Sequence, residues 1–166
     1  WDEPSDWTRI MRFFQYGKKR DPFYLRAGEL AAASIGHGTI VHRYYNTLEL
    51  DHYHTGLSTK VNLDQGGAEF LTNDVLKWNL VAVRGYARPF FIAMEDENPL
   101  LDRLVVGATF ASDFLAPWEI TMEDATGGQV PKIDSANNVQ FDSRAAWFAG
   151  IDIALEVLRT PEIAIT

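Results

Sequence analysis

From Trp147 to Leu158 the chain alternates with a period of two. Trp147, Ala149, Ile151, Ile153, Leu155 and Val157 fall on one side, and Phe148, Gly150, Asp152, Ala154, Glu156 and Leu158 on the other. Successive side chains of a strand point to opposite faces, so this segment is a β-strand with one uniformly apolar face and one mixed face. An apolar face of that length has to be buried, which predicts a central place in a sheet. Pro161 breaks the strand, and Ile163 and Ile165 continue an extended tail.

The same rhythm recurs upstream. Leu80, Ala82 and Arg84 alternate against Val81 and Val83, and a break at Arg88-Pro89 precedes Phe90-Phe91-Ile92, so Trp78 to Met94 reads as two β segments. Leu104 to Phe110 and Trp118 to Met122 read as further strands. From Thr39 onward, Val41, Arg43, Tyr45, Thr47, Glu49, Asp51 and Tyr53 share one side, opposite His42, Tyr44, Asn46, Leu48, Leu50, His52 and His54. A turn at His54-Thr55-Gly56 returns the chain through Leu57 to Leu63, predicting a long hairpin over Thr39 to Leu63.

Helical spacing is confined to short pieces. Trp7, Ile10, Met11 and Phe14 line one helix face after a Pro4-Ser5-Asp6 entry, and Leu25 to Ser34 is a second, Ala-rich run that stops near Gly36. Ala68 to Leu76 reads as one helical turn or two. Glu95 to Pro99 is an acidic turn, and Asp124 to Asn138 is the most loop-like stretch. The expected class is therefore β-rich α+β, with antiparallel sheets, a long hairpin and two or three short helices. Residues 1–36 would form a helical arm and residues 37–166 a β-rich body. An all-β jelly roll is the alternative, since many short strands with turn signals also fit a sandwich.

At 166 residues the chain suits a single domain, and its hydrophobic fraction of 46% and aromatic fraction of 13% suit a globular body with much apolar surface to hide. It starts at Trp1 rather than at Met, so it reads as a fragment or processed part of a longer chain. There is no cysteine, which excludes disulfides and thiolate metal sites. No apolar run approaches the roughly 20 residues that a membrane-crossing helix needs, and no secretory signal is visible.

The net charge of −8 is unevenly spread: Arg9 to Arg26 holds six of the 15 basic residues (Arg9, Arg12, Lys18, Lys19, Arg20 and Arg26) but only one of the 23 acids, Asp21. The body repels nucleic acid, whereas this segment is a candidate contact for packaged nucleic acid or for an acidic neighbouring subunit. Its plainer reading is a solvated turn after Gly17. Interfaces favour tyrosine, tryptophan, phenylalanine and arginine, which marks Trp7, Phe13, Phe14, Tyr16, Tyr44 and Tyr45 as candidate interface aromatics. The alternative is that they fill the core of a monomer.

Catalytic signals are sparse. The sequence has no G-x-S-x-G and no phosphate-cradling glycine loop, so no catalytic residue is assigned and no enzyme is expected. All four histidines, His37, His42, His52 and His54, fall within one short stretch. His52 and His54 form an H-x-H pair that a strand would aim at one ion, with His42, His37, Asp64 or Glu69 as a further ligand. A cupin-like metal barrel carries such a pair with a glutamate soon after it, and Thr55 to Lys60 contains no acid. A small cupin-like β-barrel enzyme holding one divalent transition metal on His42, His52 and His54 is thus the rival reading. The plainer one is histidines hydrogen-bonded to neighbours.

The close of the chain, Phe141-Asp142-Ser143-Arg144, then the long strand, then Leu158-Arg159-Thr160-Pro161-Glu162-Ile163-Ala164-Ile165, resembles the end of tailed-bacteriophage major capsid proteins. The similarity covers about the last 25 residues. It implies a β-rich α+β fold with an amino-terminal arm, a peripheral sheet beside a long helix, and a hairpin loop reaching over a neighbouring subunit, a role that Thr39 to Leu63 would suit. The chain departs from that pattern in being shorter and in lacking a recognisable long helix. The expectation is a structural virion protein, a capsid or coat subunit, that self-assembles through buried apolar and aromatic interfaces. It would need no cofactor, contact no membrane, and reside in the virion, with the cytoplasm as the alternative location.

Overall fold

In the computed structural model, the described residues are 12–47, 54–93, 103–119, 121–123, 128–135, 138–140 and 142–155. Among these residues nine strands and one short helix run in the order β1 (Phe13–Tyr16), β2 (Phe23–Gly28), β3 (Gly56–Leu63), β4 (Gly66–Thr72), β5 (Leu80–Ala87), α1 (Pro89–Ala93), β6 (Leu104–Glu119), β7 (Thr121–Glu123), β8 (Gln129–Pro131) and β9 (Asp142–Leu155). Seven of them make one antiparallel sheet, ordered β1-β2-β3-β4-β5-β6-β9, while β7 and β8 form a separate two-stranded ribbon.

β1 to β6 form a meander in which each strand pairs with the next in sequence. The tightest link is between β3 and β4, where Leu63 pairs with Gly66 across the two residues Asp64 and Gln65. β5 forms as its alternation predicts. β6 is longer than expected, because Leu104–Phe110 and Trp118 belong to one strand. Its register against β9 slips between Asp113 and Ala116 and again between Pro117 and Glu119, at a proline that cannot donate to the ladder.

The inner face of the sheet carries the core. Leu71, Ala82 and Ala111 pair in register across β4, β5 and β6, and all three are buried. They are covered by the loop between β2 and β3, which contributes Leu30, Ala33, Ile35 and Val41, with Ile40, Tyr44 and Leu80 packed against them. The described residues of this loop have almost no regular structure beyond one bridge between Ala33 and Tyr44. Its backbone is held by bonds of its own, among them the Ile35 N–H to the Val41 carbonyl at 3.2 Å and the Gly38 N–H to the Ile35 carbonyl at 2.9 Å, and by side chains. Asn46, itself buried, accepts from the Leu30 N–H at 2.7 Å, and its Nδ2 faces the carbonyls of Gly28, His54 and Asn73 at 3.1, 2.7 and 3.2 Å. Buried backbone groups without strand partners need such substitutes.

Several expectations are corrected here. The two or three short helices are not borne out: the stripe Trp7, Ile10 and Met11 lies outside the described residues, and among the described residues α1 is the only helix. The Ala-rich run from Leu25 to Ser34 is the end of β2 followed by the core-covering loop, and Ala68 to Leu76 is mostly β4. The described part of the expected arm is β1, β2 and the start of the core-covering loop. Residues 39–47 are not a strand, so the hairpin over Thr39 to Leu63 is absent and β3 instead pairs with β2 and β4. Phe90 and Phe91 belong to α1, since a proline at a first helical position has its φ already suited to the turn. The sequential meander also replaces the jelly roll, which requires two sheets linked by Greek-key crossings. β9 lies at the sheet edge, not at its centre.

Candidate functional site

The two faces of the sheet differ in chemistry. Directly paired residues of antiparallel neighbours lie on the same face, so the pairing of Leu71 with Ala82 and Ala111 fixes the inner set. The outer set follows by alternation. It includes Phe14 and Tyr16 of β1, Phe23 and Leu25 of β2, Val61 and Leu63 of β3, Phe70 of β4, Val81 and Val83 of β5, Val106 and Phe110 of β6, and Trp147, Ile151, Ile153 and Leu155 of β9. Within the register-matched stretches of all seven strands, no outward position among the described residues carries a charge. Many of these side chains are open to solvent: Ile151 is 81%, Ile153 70% and Trp147 64% exposed. Trp147 meets Phe110 and Phe114 edge-on, with ring centroids 5.6 and 6.4 Å apart. Contiguous exposed apolar surface of this extent marks an interaction site.

The inner face holds a charged network beside the core. Arg84 of β5 is 5% exposed and reaches two carboxylates. Its Nη1 donates to Glu69 Oε1 at 3.1 Å, and its Nε and Nη2 donate to the two oxygens of Asp152, the first at 3.0 Å. Lys60 Nζ lies 3.3 Å from Glu69 Oε1, and the Gly36 N–H donates to Glu69 Oε2 at 3.0 Å. His37 Nε2 approaches Asp152 Oδ1 at 3.5 Å. Two glycines make the room. A Cβ at Gly36, where φ is +56°, would lie 2.7 Å from the Arg84 side chain, and one at Gly107 would lie 2.6 Å from Arg84 Nη2 and 2.8 Å from Asp152 Oδ2.

Hydrogen bonds from Arg84 hold the Asp152 carboxyl below the ordinary aspartate value of 3.8, outweighing the opposite effect of burial, and the Arg84 and His37 charges act in the same direction. The same bonds raise Arg84 further. A depressed folded-state pKa contributes stability that is complete above the unfolded value and is lost as pH falls through the folded one. Acid unfolding of the native chain is therefore expected to steepen below pH 3.8, and Asp152→Asn is expected to flatten that limb. Urea midpoints taken at successive acidic pH values check this.

Beside the network, a cleft of about 560 Å³ opens at one end of the inner face. The turn before β2 supplies Lys19, Arg20 and Pro22, β3 supplies Lys60, Asn62 and Leu63, and β5 supplies Arg84 and Tyr86, with Arg88 just beyond it. Asn62 ties these segments together. Its Nδ2 donates to the carbonyls of Lys19 and Asp21 at 3.2 and 2.6 Å, and its Oδ1 accepts from the Tyr86 hydroxyl at 2.6 Å.

Of the basic residues marked in the sequence, Arg12 pairs with Glu29, Arg26 lies 4.3 Å over the Phe13 ring, Lys18, Lys19 and Arg20 form the turn between β1 and β2, and Lys18, Lys19 and Arg26 line one hollow beside Gln15 and Tyr24. Arg9 and Trp7 lie outside the described residues. Of the aromatics, Phe14 and Tyr16 face outward, Phe13 lies on the inner face, Tyr45 is exposed, and Tyr44 is half-buried against the core. His54 Nδ1 is 3.1 Å from Asp74 Oδ2, and His52 lies outside the described residues. Among the described residues no three His, Asp or Glu side chains gather into a set able to hold a metal ion, and no helix is long and apolar enough to cross a membrane.

The sequence reading missed the Arg84–Asp152–Glu69–Lys60 network as a unit. A signal was present, since Arg84 and Asp152 each interrupt an apolar alternation on the face that faces the core. Comparison with known proteins finds no matching family model, no matching curated protein and no matching solved structure.

Proposed function

We propose that this chain is a structural subunit that associates with copies of itself through the outer face of its sheet. The resemblance of its closing segment to phage capsid subunits makes a virus particle the assembly in question. The observation that supports the reading is the outer face itself, largely apolar, with exposed residues such as Phe14, Val61, Val83, Phe110 and Ile151, and free of charge among the described residues, in a chain of net charge −8.

A second copy suits this face better than a single segment. Six strand spacings and about seven residues of rise give it on the order of 700 Å², near the roughly 800 Å² per partner of a standard interface. One helix, about 10 Å across, would cover a third of its width. An identical face matches it in size and chemistry, and stacking the two places no like charges opposite each other despite the overall negative charge. Sheets packed this way sit about 10 Å apart with interdigitated side chains.

Sedimentation equilibrium across a range of concentrations tests the reading. The expected result is a mass that is a multiple of 18.7 kDa. A folded chain that stays monomeric at every concentration would sink it.

A further inference from the structure

We infer that β9 pairs with β9 of a second copy, joining two sheets edge to edge about a two-fold axis normal to them. Among the described residues β9 has a strand neighbour on one side only, β6. Antiparallel neighbours share bonds at alternate residues, so roughly half of the backbone N–H and C=O groups of this strand point away from β6. Such a row is a template for another strand, and proteins usually blunt it with shortness, bulges, prolines or charges. The opposite edge is blunted by length, since β1 has four residues. β9 is not blunted. It runs from Asp142 to Leu155 without a proline, and the extra residues at both register slips lie in β6. From Ala145 to Leu155 its one charge is Asp152, which is turned inward to Arg84. Phe148, Ile151 and Ile153 along it are exposed.

A second copy fits this edge in one register. Antiparallel pairing that keeps both inner faces on the same side sets even-numbered residues of β9 opposite even ones and odd opposite odd. Two registers of that kind engage nearly the whole strand, one pairing Asp142 with Ala154 and the other Ser143 with Leu155. The first sets Arg144 opposite Asp152 and Phe148 opposite its own copy. The second sets both of those charged residues opposite alanines, Arg144 against Ala154 and Asp152 against Ala146. Charge complementarity selects the first. Arg144 lies 4.9 Å over the Trp118 ring, a stacking contact that uses none of its N–H donors, so the guanidinium fork is kept for a carboxylate. The paired Phe148 rings add a cross-strand aromatic contact.

The magnitudes make this the weaker of two contacts. Pairing supplies about a dozen backbone hydrogen bonds, as many as a typical interface carries. An edge about 10 Å thick and about 40 Å long, however, is on the order of 400 Å² per partner, half of the roughly 800 Å² of a standard interface. Edge pairing therefore rests on the outer-face reading for its strength, though not for its geometry: subunits gathered face to face are held at the high local concentration at which a weak second contact forms.

The sequence has no cysteine, so one introduced thiol reports the contact without background. Phe148→Cys is expected to give a covalent dimer on oxidation with diamide, because directly opposite residues lie about 4.5–5.5 Å apart, within disulfide reach. Ala146→Cys should cross-link about tenfold more slowly, since in this register it stands four residues, roughly 13 Å, from its own copy. Phe148 pairs with Ala111 and so lies on the inner face, which stacking through the outer faces does not bring together. An equimolar mixture of Asp142→Cys and Ala154→Cys chains should cross-link with each other while neither does so alone, which keeps the test decisive should Phe148→Cys not fold. Equal rates for Phe148→Cys and Ala146→Cys, or no covalent dimer in the mixture, overturn the edge pairing. Sedimentation of a Val83→Glu variant judges the outer face separately, so the two readings fail independently.

Discussion

Arg84→Ala is expected to lower the stability of the fold by about 3–5 kcal/mol, the range seen when one member of a buried ion pair is removed. The arginine side chain is 5% exposed, and Glu69 and Asp152 are 7% and 19% exposed. Truncation leaves Glu69 almost fully buried with only Lys60 and the Gly36 N–H for compensation. Asp152 is more open and regains some hydration, which places the effect in the lower half of the range. Even so, it is a large share of the roughly 5–15 kcal/mol by which a domain is stable. Arg84→Lys should recover only part of the loss, because an ammonium cannot donate to both oxygens of Asp152 and to Glu69 from one planar group. Urea unfolding of the three proteins is the measurement. A midpoint for Arg84→Ala close to that of the native chain would show that the network is dispensable.

Val83→Glu is expected to weaken self-association by about a hundredfold or more. Val83 sits in β5 near the middle of the outer face and is 40% exposed, so the isolated subunit can solvate the new carboxylate with little loss of stability. In a face-to-face pair related by a two-fold axis, each substitution occurs twice and both charges become buried without a partner. Desolvation of that kind at the centre of an interface costs several kcal/mol, and each 1.4 kcal/mol is about a tenfold change in affinity. Sedimentation should therefore show monomer where the native chain associates, with an unchanged circular dichroism spectrum. Association that survives Val83→Glu would move the contact elsewhere on the molecule.

The sequence carried the sheet and lost the loop. β5, β6 and β9 were legible because their apolar residues alternate and little else fits that spacing. Leu25 to Ser34 misled because Leu25, Ala27, Leu30 and the alanines satisfy a helical period as easily as a strand, and the choice is made by distant pairing with β3 and by Asn46. Residues 39–47 alternate, yet Val41 and Tyr44 serve a covering loop whose backbone bonds with Ala33 and Ile35, inside the same loop, and no local pattern announces that. The alternation in β9 marks a strand but not its place, since an apolar face calls for cover and not for neighbours on both sides within one chain. The cleft was invisible for a different reason: Lys19, Lys60 and Arg88 meet only because the meander brings a turn, a strand and a strand end to one corner.

That meander also bears on the order of folding. Because β1 to β6 each join their immediate successor, every one of those pairings closes without waiting for residues beyond β6. Local closure is the fast kind, since little chain entropy is lost before contacts compensate for it. β9 is the exception, and the link from Arg84 to Asp152 spans 68 residues. A chain emerging from the ribosome can lay down six strands first and add β9 after them, so Arg84 stays without one of its two carboxylate partners until β9 has been made.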